Sequence, residues 1–257
     1  MRERTGGDDS TADTHRQTPV ERRTVTDATG PLLGRRAVLA GAVTVAFGGL
    51  AGCGSRTTVE AGRRPLSENP VGEGLDDQPR LGRPRSETDI TLVTFDDPHC
   101  SYCASFHENG FRAIESKWVD TGTATLYVRG HSVTGGWGPA ALHALEEAYR
   151  RDESLYWQLT GQYFGHQDEL TGETLVDRTR SFVADAETTV DADAVARAAA
   201  DRPHTDAIDA DERVAENALS GDGDATPTTF VFEGGEFRTT LGDEDFSAFR
   251  AAIESDG

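Results

Sequence analysis

The 257-residue sequence is poor in cysteine, in methionine and above all in lysine. It has three cysteines and one methionine, and Lys117 is its only lysine. Three cysteines cannot form the set of disulfides that holds a small disulfide-rich secreted scaffold together. They also leave the closely spaced pair Cys100 and Cys103 without the second pair that a structural zinc site usually has. Neither a disulfide-rich scaffold nor a structural zinc site therefore explains the isolated cysteine pair.

Positive charge is scarce as well. Lysine and arginine number 25 against 45 aspartates and glutamates, which gives a formal net charge of −20. The first 52 residues hold six acidic and seven basic side chains, so residues 53–257 carry 39 and 18. Such an acidic surface repels nucleic acid and anionic lipid, which argues against both as partners. The acidic residues are spread over 59–257 instead of forming one block, which favours a halophilic protein over one with an acidic partner-binding face.

No hydrophobic run is long enough for a comfortable membrane span, because the longest, 37–52, is short and rich in glycine. Arg35 and Arg36 precede this run, and Cys53 ends the sequence Leu-Ala-Gly-Cys that follows it. This order is typical of a signal peptide. The arginine pair resembles a twin-arginine export signal, and Leu-Ala-Gly-Cys resembles a lipoprotein cleavage box. We therefore predict export and attachment to the outer face of the cytoplasmic membrane through lipidated Cys53, with an uncleaved membrane anchor as the alternative.

Composition divides the chain into three parts. Residues 1–52 read as a disordered N-terminus followed by the signal peptide. Residues 53–87 hold four prolines, several glycines and many charges, which predicts a flexible linker without a core of its own. Residues 88–257 form the predicted folded domain, with a block of helices inserted at about 137–221.

The folded domain begins with the pattern that dominates the sequence. A buried strand is predicted at 90–95, then a turn at Asp96-Asp97-Pro98, then a helix that opens near Cys100. At a helix start, unpaired backbone N–H groups and the helix dipole favour an anion such as a thiolate. Cys103 follows one turn later, where it can close a disulfide with Cys100 or resolve a mixed one. The pair is therefore predicted to be a redox site.

Two other interpretations of the pair exist. Cys100, Cys103 and His107 could offer three ligands to zinc, but the usual fourth ligand and second cysteine pair are missing. A purely structural disulfide is a poor explanation, because so short a loop constrains little of the unfolded chain. We predict no metal and no cofactor, and keep a lipid-anchored metal-binding module as the alternative from a different class.

The remaining pattern predicts a strand at 124–129, which completes a β-α-β unit with the helix that carries the cysteines, and Gly110 is expected to bend that helix. Helices are predicted in the inserted block, at 174–184, 191–200 and 207–219 among others. A β-hairpin turns at Gly234-Gly235, and a final helix is capped by acidic residues at 243–245.

This order of elements, with C-x-x-C at the first helix and Thr226-Pro227 before the hairpin, resembles the DsbA-like thiol–disulfide oxidoreductases of the thioredoxin superfamily. The resemblance spans about 88–255 and implies an α/β thioredoxin fold with an inserted helical subdomain. It implies that Cys100 is the attacking thiol and Cys103 the resolving thiol. It also implies that Pro227 is a cis-proline facing the disulfide and that Thr226 lines the groove for a substrate chain.

The sequence departs from the family pattern between the cysteines. Many members have proline after the first cysteine, whereas this chain has Ser101 and Tyr102, and its histidine, His99, precedes Cys100. We expect these three residues to modulate the redox potential. Localisation outside the cytoplasm favours oxidation of protein thiols, with a disulfide reductase or isomerase as the alternative. The expected partners are protein thiols or disulfides and an unidentified redox partner.

Overall fold

The computed structural model describes residues 63–219 and 225–254. Its centre is a five-stranded sheet with the strand order β1-β3-β2-β4-β5. Strands β2 and β3 are parallel, and the other neighbours are antiparallel. The strands are β1 Arg80–Leu81, β2 Ile90–Asp96, β3 Ala124–Gly130, β4 Thr228–Glu233 and β5 Glu236–Leu241. The predicted β-α-β unit and hairpin are confirmed, with strand ends within two residues of those expected.

Both faces of the sheet are covered, which explains why every residue of β2 is buried. On one face, Leu92 packs with Phe106 and Phe249. On the other face, Val93 and Phe95 pack with residues of a second cluster that includes Val214. Strand β2, which leads directly to the cysteines, is thus held in the middle of the molecule.

The cysteines lie at the start of a continuous helical stretch, Ser101 to Val119. It consists of α1 Ser101–Phe106, a π-helical turn at His107–Phe111, α2 Arg112–Ile114 and a second π-helical turn at Glu115–Val119. The bend expected at Gly110 takes the form of the first π-helical turn. A Cβ atom at Gly110 would lie only 3.0 Å from the Phe106 ring, so the close approach of this ring favours glycine there.

The inserted helices and the C-terminal elements agree with the prediction. The insertion holds α3 Gly138–Arg151, α4 Glu153–Gly165, α5 Leu175–Asp185, α6 Ala192–Asp201 and α7 Thr205–Ala218. At the hairpin, Gly234 and Gly235 have φ values of 56° and 86°, the left-handed conformation that a tight type I′ turn requires. The last helix, α8 Phe246–Glu254, begins where Ser247 N donates to Asp245 Oδ1 at 2.7 Å.

The prediction of a coreless linker at 53–87 is wrong for the part that the structure describes. Leu66, Val71 and Leu75 are buried in the same cluster as Val93 and Phe95, and β1 pairs with β3. The prolines there support short 3-10 turns, such as Pro70–Gly72, instead of an extended linker. The folded domain therefore begins by residue 63, not at 88.

The buried side chain of Arg129 in β3 holds this N-terminal segment in place. Its guanidinium donates to the carbonyl oxygens of Val71, at 3.2 Å, and of Glu73, and to Asp211 Oδ1 of α7 at 2.6 Å. These bonds satisfy a charge that is costly to bury unpaired. The Arg129 guanidinium therefore joins β3, α7 and the segment that composition alone assigned to a linker.

The predicted signal peptide, Arg35, Arg36 and Cys53 lie outside the described residues. Within the described ranges, no helix combines the length and the apolar character needed to cross a membrane.

Candidate redox site

The redox site forms where β2 ends and the helical stretch begins. Cys100 has an extended backbone (φ −77°, ψ 123°) and is the N-cap of α1. Its N–H donates to the Asp97 carbonyl at 3.0 Å, and its own carbonyl accepts from Ala104 N at 3.1 Å. The tight turn at Asp97 therefore places Cys100 at the helix start, as predicted, with Cys103 inside the first turn.

The two cysteines are not bonded to each other in this structure, and they differ in what surrounds the sulfur. Cys100 is 4% exposed, and in its protonated form its Sγ donates to the Thr226 carbonyl at 3.2 Å. Cys103 is fully buried, and its Sγ accepts from Asp97 N at 3.5 Å. The first sulfur thus lies against the loop before β4, and the second is enclosed beneath the helix start.

These contacts give the two thiols opposite acidity. A hydrogen bond from the Cys103 thiol is the main cause that lowers the pKa of Cys100 to about 6, against the effect of burial. Backbone N–H groups at the helix start and Thr226 lower this pKa further. Burial, followed by the Cys100 sulfur and the charge of Asp96, raises the pKa of Cys103 far above its ordinary value. Cys100 is therefore the thiolate and Cys103 the protonated thiol at neutral pH.

Thr226 and Pro227 lie beside Cys100 because β4 pairs antiparallel with β2, which sets Thr228 opposite Phe95. The Thr226–Pro227 peptide bond is cis, the geometry that the resemblance implied. Thr226 is buried, and its Oγ1 has no hydrogen-bond partner among the described residues. A hydroxyl without a partner next to a thiolate can donate to it, which agrees with its effect on the Cys100 pKa.

The three residues expected to modulate the site lie at its rim. Ser101 and Tyr102 are exposed, and Tyr102 at 62% is one of two large hydrophobic side chains exposed on the described surface, with Val133. His99 turns away from Cys100 and contacts the loop after β3. Its ring lies edge-on to Trp137 at a centroid distance of 5.3 Å, and its Nδ1 is 2.9 Å from Thr134 Oγ1.

Asp97 organises this rim, a role that the sequence pattern does not predict. Its carboxylate is fully buried and accepts from His99 N at 2.9 Å and from the backbone N and Oγ1 of Thr134 at 2.8 and 2.7 Å. Since the Thr134 hydroxyl proton points at Asp97, the hydroxyl oxygen is free to accept from His99 Nδ1. The Asp-Pro-His sequence carries a signal for the local part, because an aspartate often accepts from the N–H two residues later.

Gly136 permits the loop after β3 to approach this closely. It has a φ of 57°, and a Cβ atom there would lie 2.6 Å from the His99 ring. A larger residue would push the ring or the loop away. The loop therefore fixes the segment that leads into Cys100.

His107, considered above as a zinc ligand, has a different partner. Its Nε2 lies 2.7 Å from Asp96 Oδ2, and its ring is stacked between Phe111 and Phe164 at centroid distances of 4.3 and 4.0 Å. Within residues 63–219 and 225–254, no group of three or more histidine, cysteine or acidic side chains has the geometry to hold a metal ion. The arrangement thus places the two thiols in one site and His107 in a carboxylate–histidine pair next to it.

Comparison with known proteins agrees with this architecture. The family model described as Thioredoxin matches residues 76–254. Oxidised BdbD from Bacillus subtilis is 19% identical, with a TM-score of 0.59 over 74% of this chain and 94% of that one. Alpha-DsbA1 from Wolbachia pipientis is 22% identical, with a TM-score of 0.58 over 70% and 90%. DsbA from Chlamydia trachomatis is 20% identical, with a TM-score of 0.56 over 69% and 90%.

At these identities the solved structures establish the fold, and they confirm the predicted α/β thioredoxin fold with an inserted helical subdomain. None of the curated proteins matches the chain.

Proposed function

The chain belongs to the thioredoxin family, and from that premise we propose that it is a thiol–disulfide oxidoreductase that oxidises protein thiols through a Cys100–Cys103 disulfide. The observation that carries the proposal is the opposite acidity of the two thiols. A lowered pKa near 6 makes Cys100 a thiolate and a good leaving group at neutral pH. A raised pKa keeps the proton on Cys103 until it is needed.

The reaction proceeds by two exchanges. A substrate thiolate attacks the Cys100 sulfur of the oxidised site, the Cys100–Cys103 bond breaks, and Cys103 leaves with the electron pair and takes up a proton. A second substrate thiolate then attacks the substrate sulfur of the mixed disulfide, and Cys100 leaves as the thiolate. Two electrons pass from the substrate to the enzyme, and the substrate gains one disulfide. A disulfide-bearing redox partner, which takes the two electrons, returns the enzyme to its oxidised form.

Thr226 and Pro227 supply the surface on which the substrate chain lies. The Thr226 carbonyl is 3.2 Å from the Cys100 sulfur, so a chain bonded to Cys100 runs past this carbonyl and the cis peptide. Tyr102, exposed beside Cys100, offers an apolar contact to the same chain. His99 and Ser101 act less directly, because the His99 ring is held by Thr134 and Trp137.

Oxidation is favoured over reduction because a stable thiolate stabilises the reduced enzyme, and this makes the disulfide a stronger oxidant. The test is to mix the oxidised protein with a reduced, unfolded protein that contains two cysteines and to follow the loss of free thiols. We expect one substrate disulfide per oxidised site, and none from the Cys100→Ser/Cys103→Ser double variant. An oxidised wild-type protein that leaves the substrate thiols unchanged, or a reduced one that instead breaks substrate disulfides preferentially, would overturn the proposal.

We also propose that the protein is exported and tethered to the outer face of the cytoplasmic membrane by lipid on Cys53. The order of Arg35, Arg36, the apolar run and Cys53 supports this proposal. Changing both arginines to lysine should block export, and Cys53→Ser should release the protein or leave its precursor uncleaved. Unchanged export and membrane attachment in these variants would contradict it.

The acidic composition supports a third proposal, adaptation to high salt. With a formal charge of −20, self-repulsion disfavours the folded state when the Debye length grows to about 30 Å at 0.01 M salt. Thermal unfolding should therefore shift to lower temperature from molar to millimolar salt. An unchanged midpoint would contradict salt adaptation without bearing on the redox chemistry.

A further inference from the structure

A side chain from the inserted helices holds the backbone around Cys100. Gln167 is the first residue of the 3-10 turn Gln167–Glu169, which follows α4. Its amide nitrogen, Nε2, donates to the Pro98 carbonyl at 2.7 Å and to the Cys100 carbonyl at 3.0 Å. The amide has two N–H bonds and can serve two acceptors. Gln167 therefore binds both ends of the segment Pro98-His99-Cys100, which we call the redox turn.

The two carbonyls that Gln167 binds belong to the start of the redox helix. The Cys100 carbonyl accepts the first hydrogen bond of α1, from Ala104 N at 3.1 Å, and Gln167 is its second donor. A carbonyl oxygen has two lone pairs, so it can accept both bonds. The Pro98 carbonyl lies in the turn that the bond from Cys100 N to the Asp97 carbonyl closes. Gln167 thus adds donors from another part of the fold to the bonds that the turn makes with itself.

The segment that carries Gln167 is anchored in the inserted helices. Leu170 N donates to the Gln167 carbonyl at 3.3 Å. The Leu170 side chain is buried in the same hydrophobic cluster as Leu159 and Tyr163 of α4. Because its backbone is fixed in this way, the half-buried Gln167 side chain can hold the redox turn in place.

The position of the redox turn decides where the Cys100 sulfur lies. This sulfur is 3.2 Å from the Thr226 carbonyl. The hydrogen bond from Cys103 is the main cause that lowers the Cys100 pKa. Hydrogen bonds weaken steeply when their geometry departs from the optimum. A movement of the redox turn would therefore weaken the contacts that stabilise the Cys100 thiolate.

Gln167 also reduces an electrostatic repulsion. Carbonyl oxygens carry a partial negative charge, and those of Pro98 and Cys100 lie next to the thiolate in the chain. Donation by the Gln167 amide offsets this charge, with a larger effect in a partly buried site than in water. The Cys100–Cys103 disulfide carries no charge, so it gains less from this donation than the thiolate does.

The ionisable groups around Gln167 and the redox turn have partners of their own or lie in solvent. Asp168 is exposed, and Glu169 pairs with Arg178 at 2.6 Å. The remaining ones each bond to another neighbour: His166 to the Gln162 carbonyl, His99 and Asp97 to Thr134, and Asp96 to His107. Gln167 itself is uncharged, so its donation persists over the whole pH range in which Cys100 titrates.

We propose that Gln167 is a positioning residue for the Cys100 thiolate, and this inference rests on the thiol chemistry proposed above. By binding both carbonyls, Gln167 fixes the redox turn against the inserted helices. It stabilises the reduced, anionic form of the site more than the disulfide. No atom or electron passes to Gln167 during exchange. Its effect is to make Cys100 a better leaving group and the disulfide a stronger oxidant.

The test is Gln167→Met, which removes both donors and keeps the length of the side chain. We expect the Cys100 pKa to rise by about half a unit, because a shift of that size and a typical hydrogen bond have similar free energies. The equilibrium with glutathione should move about threefold toward the oxidised enzyme, which corresponds to a potential about 15 mV more negative. Thiolate absorbance against pH and glutathione buffers measure the two quantities, on the full chain with Cys53→Ser.

Two further variants complete the experiment. Gln162→Met is the matched control, because Gln162 is an exposed glutamine of α4, and it should leave the pKa and the equilibrium unchanged. Gln167→Ala also removes the donors and should shift both quantities in the same direction as Gln167→Met. It carries the test if Gln167→Met does not fold.

A purely structural role gives a different result. If Gln167 only stabilised the fold, its loss would lower the unfolding free energies of the oxidised and reduced forms equally, as measured in urea. The Cys100 pKa and the glutathione equilibrium would then stay at their wild-type values. That outcome, in whichever of Gln167→Met and Gln167→Ala folds, would overturn the proposal.

The positioning role and the proposed function fail separately. If the wild-type protein never oxidises a reduced protein but Gln167→Met raises the Cys100 pKa, the function fails and the positioning role stands. If the wild type oxidises proteins and Gln167→Met leaves the pKa and the equilibrium unchanged, the positioning role fails and the function stands.

Discussion

Cys100 and Cys103 lie one helical turn apart, in two regions that give their thiols opposite acidity. The outer region, formed by Cys100, Thr226 and Pro227, sits beside the exposed Tyr102, and hydrogen bonds from Cys103, the helix start and the Thr226 hydroxyl stabilise the Cys100 thiolate. The inner region, formed by Cys103, Asp96 and His107, is enclosed and places a carboxylate near the sulfur. Hydrogen bonds lower one thiol pKa while burial raises the other, so a single turn of helix separates a thiolate from a protected thiol.

The largest effect is expected when each sulfur is exchanged for oxygen. Cys100→Ser should abolish exchange with a test protein, because the inner thiol cannot reach the substrate. Cys103→Ser should still attack but accumulate mixed disulfides, since nothing resolves them. Mass spectrometry of the protein after incubation with a disulfide-containing substrate distinguishes the two outcomes. Mixed disulfides that accumulate on Cys103 in the Cys100→Ser variant would reverse the assignment.

The rate of alkylation against pH distinguishes the two thiols further. Alkylation of Cys100 in the reduced protein should follow a titration with a midpoint at about 6, its lowered pKa. Cys103 should react at least about a hundredfold more slowly at pH 7, because each unit of pKa changes the thiolate fraction roughly tenfold. Site-resolved mass spectrometry after timed exposure to iodoacetamide measures both. Equal rates for the two cysteines would contradict the account.

Stability against pH tests the same difference without a reagent. In the reduced protein the pKa of Cys100 is about 6, below its ordinary value of 9.0. The resulting stabilisation is fully present above the unfolded value and is lost as the pH falls through about 6. The melting temperature of the reduced form, relative to the oxidised form, should therefore fall by several degrees between pH 9 and pH 6. Cys100→Ala should remove this dependence, and a difference that stays constant in the wild type would contradict the lowered pKa.

Salt should have the smallest effect. The acidic surface opposes a thiolate at Cys100, and salt screens that repulsion. The causes that lower the Cys100 pKa are short-range hydrogen bonds, which salt hardly changes. Raising salt from millimolar to molar should thus lower this pKa by only a few tenths of a unit, as measured by thiolate absorbance. A pKa that rises with salt would show that attraction to positive groups outweighs the carboxylates.

The sequence predicts those features that depend on local pattern. Strand β2, the helix start at Cys100 and the tight turn at Gly234-Gly235 all follow from residues adjacent in the chain. The cis bond before Pro227 follows from the resemblance, and not from the residues alone. None of these features has to be predicted from contacts between residues that are distant in the sequence.

What the sequence does not predict depends on contacts between distant segments. Leu66, Val71 and Leu75 lie among prolines, glycines and charges without a regular period, so composition conceals their place in the core. The Arg129–Asp211 pair joins residues 82 positions apart. The sequence places the adjacent acidic residues Asp96 and Asp97 only in the turn before Cys100. In the structure, Asp96 acts on Cys103 and Asp97 binds the loop after β3.

The reduction potential of the Cys100–Cys103 couple, measured against glutathione at high salt, decides whether this site is suited to oxidise protein thiols. The Cys100 pKa of about 6 lies between about 7 for thioredoxin and about 3.5 for DsbA. The potential should accordingly lie between about −270 mV for thioredoxin and about −120 mV for DsbA. A value more negative than about −270 mV would make the site a better reductant than thioredoxin and would contradict a protein that oxidises thiols.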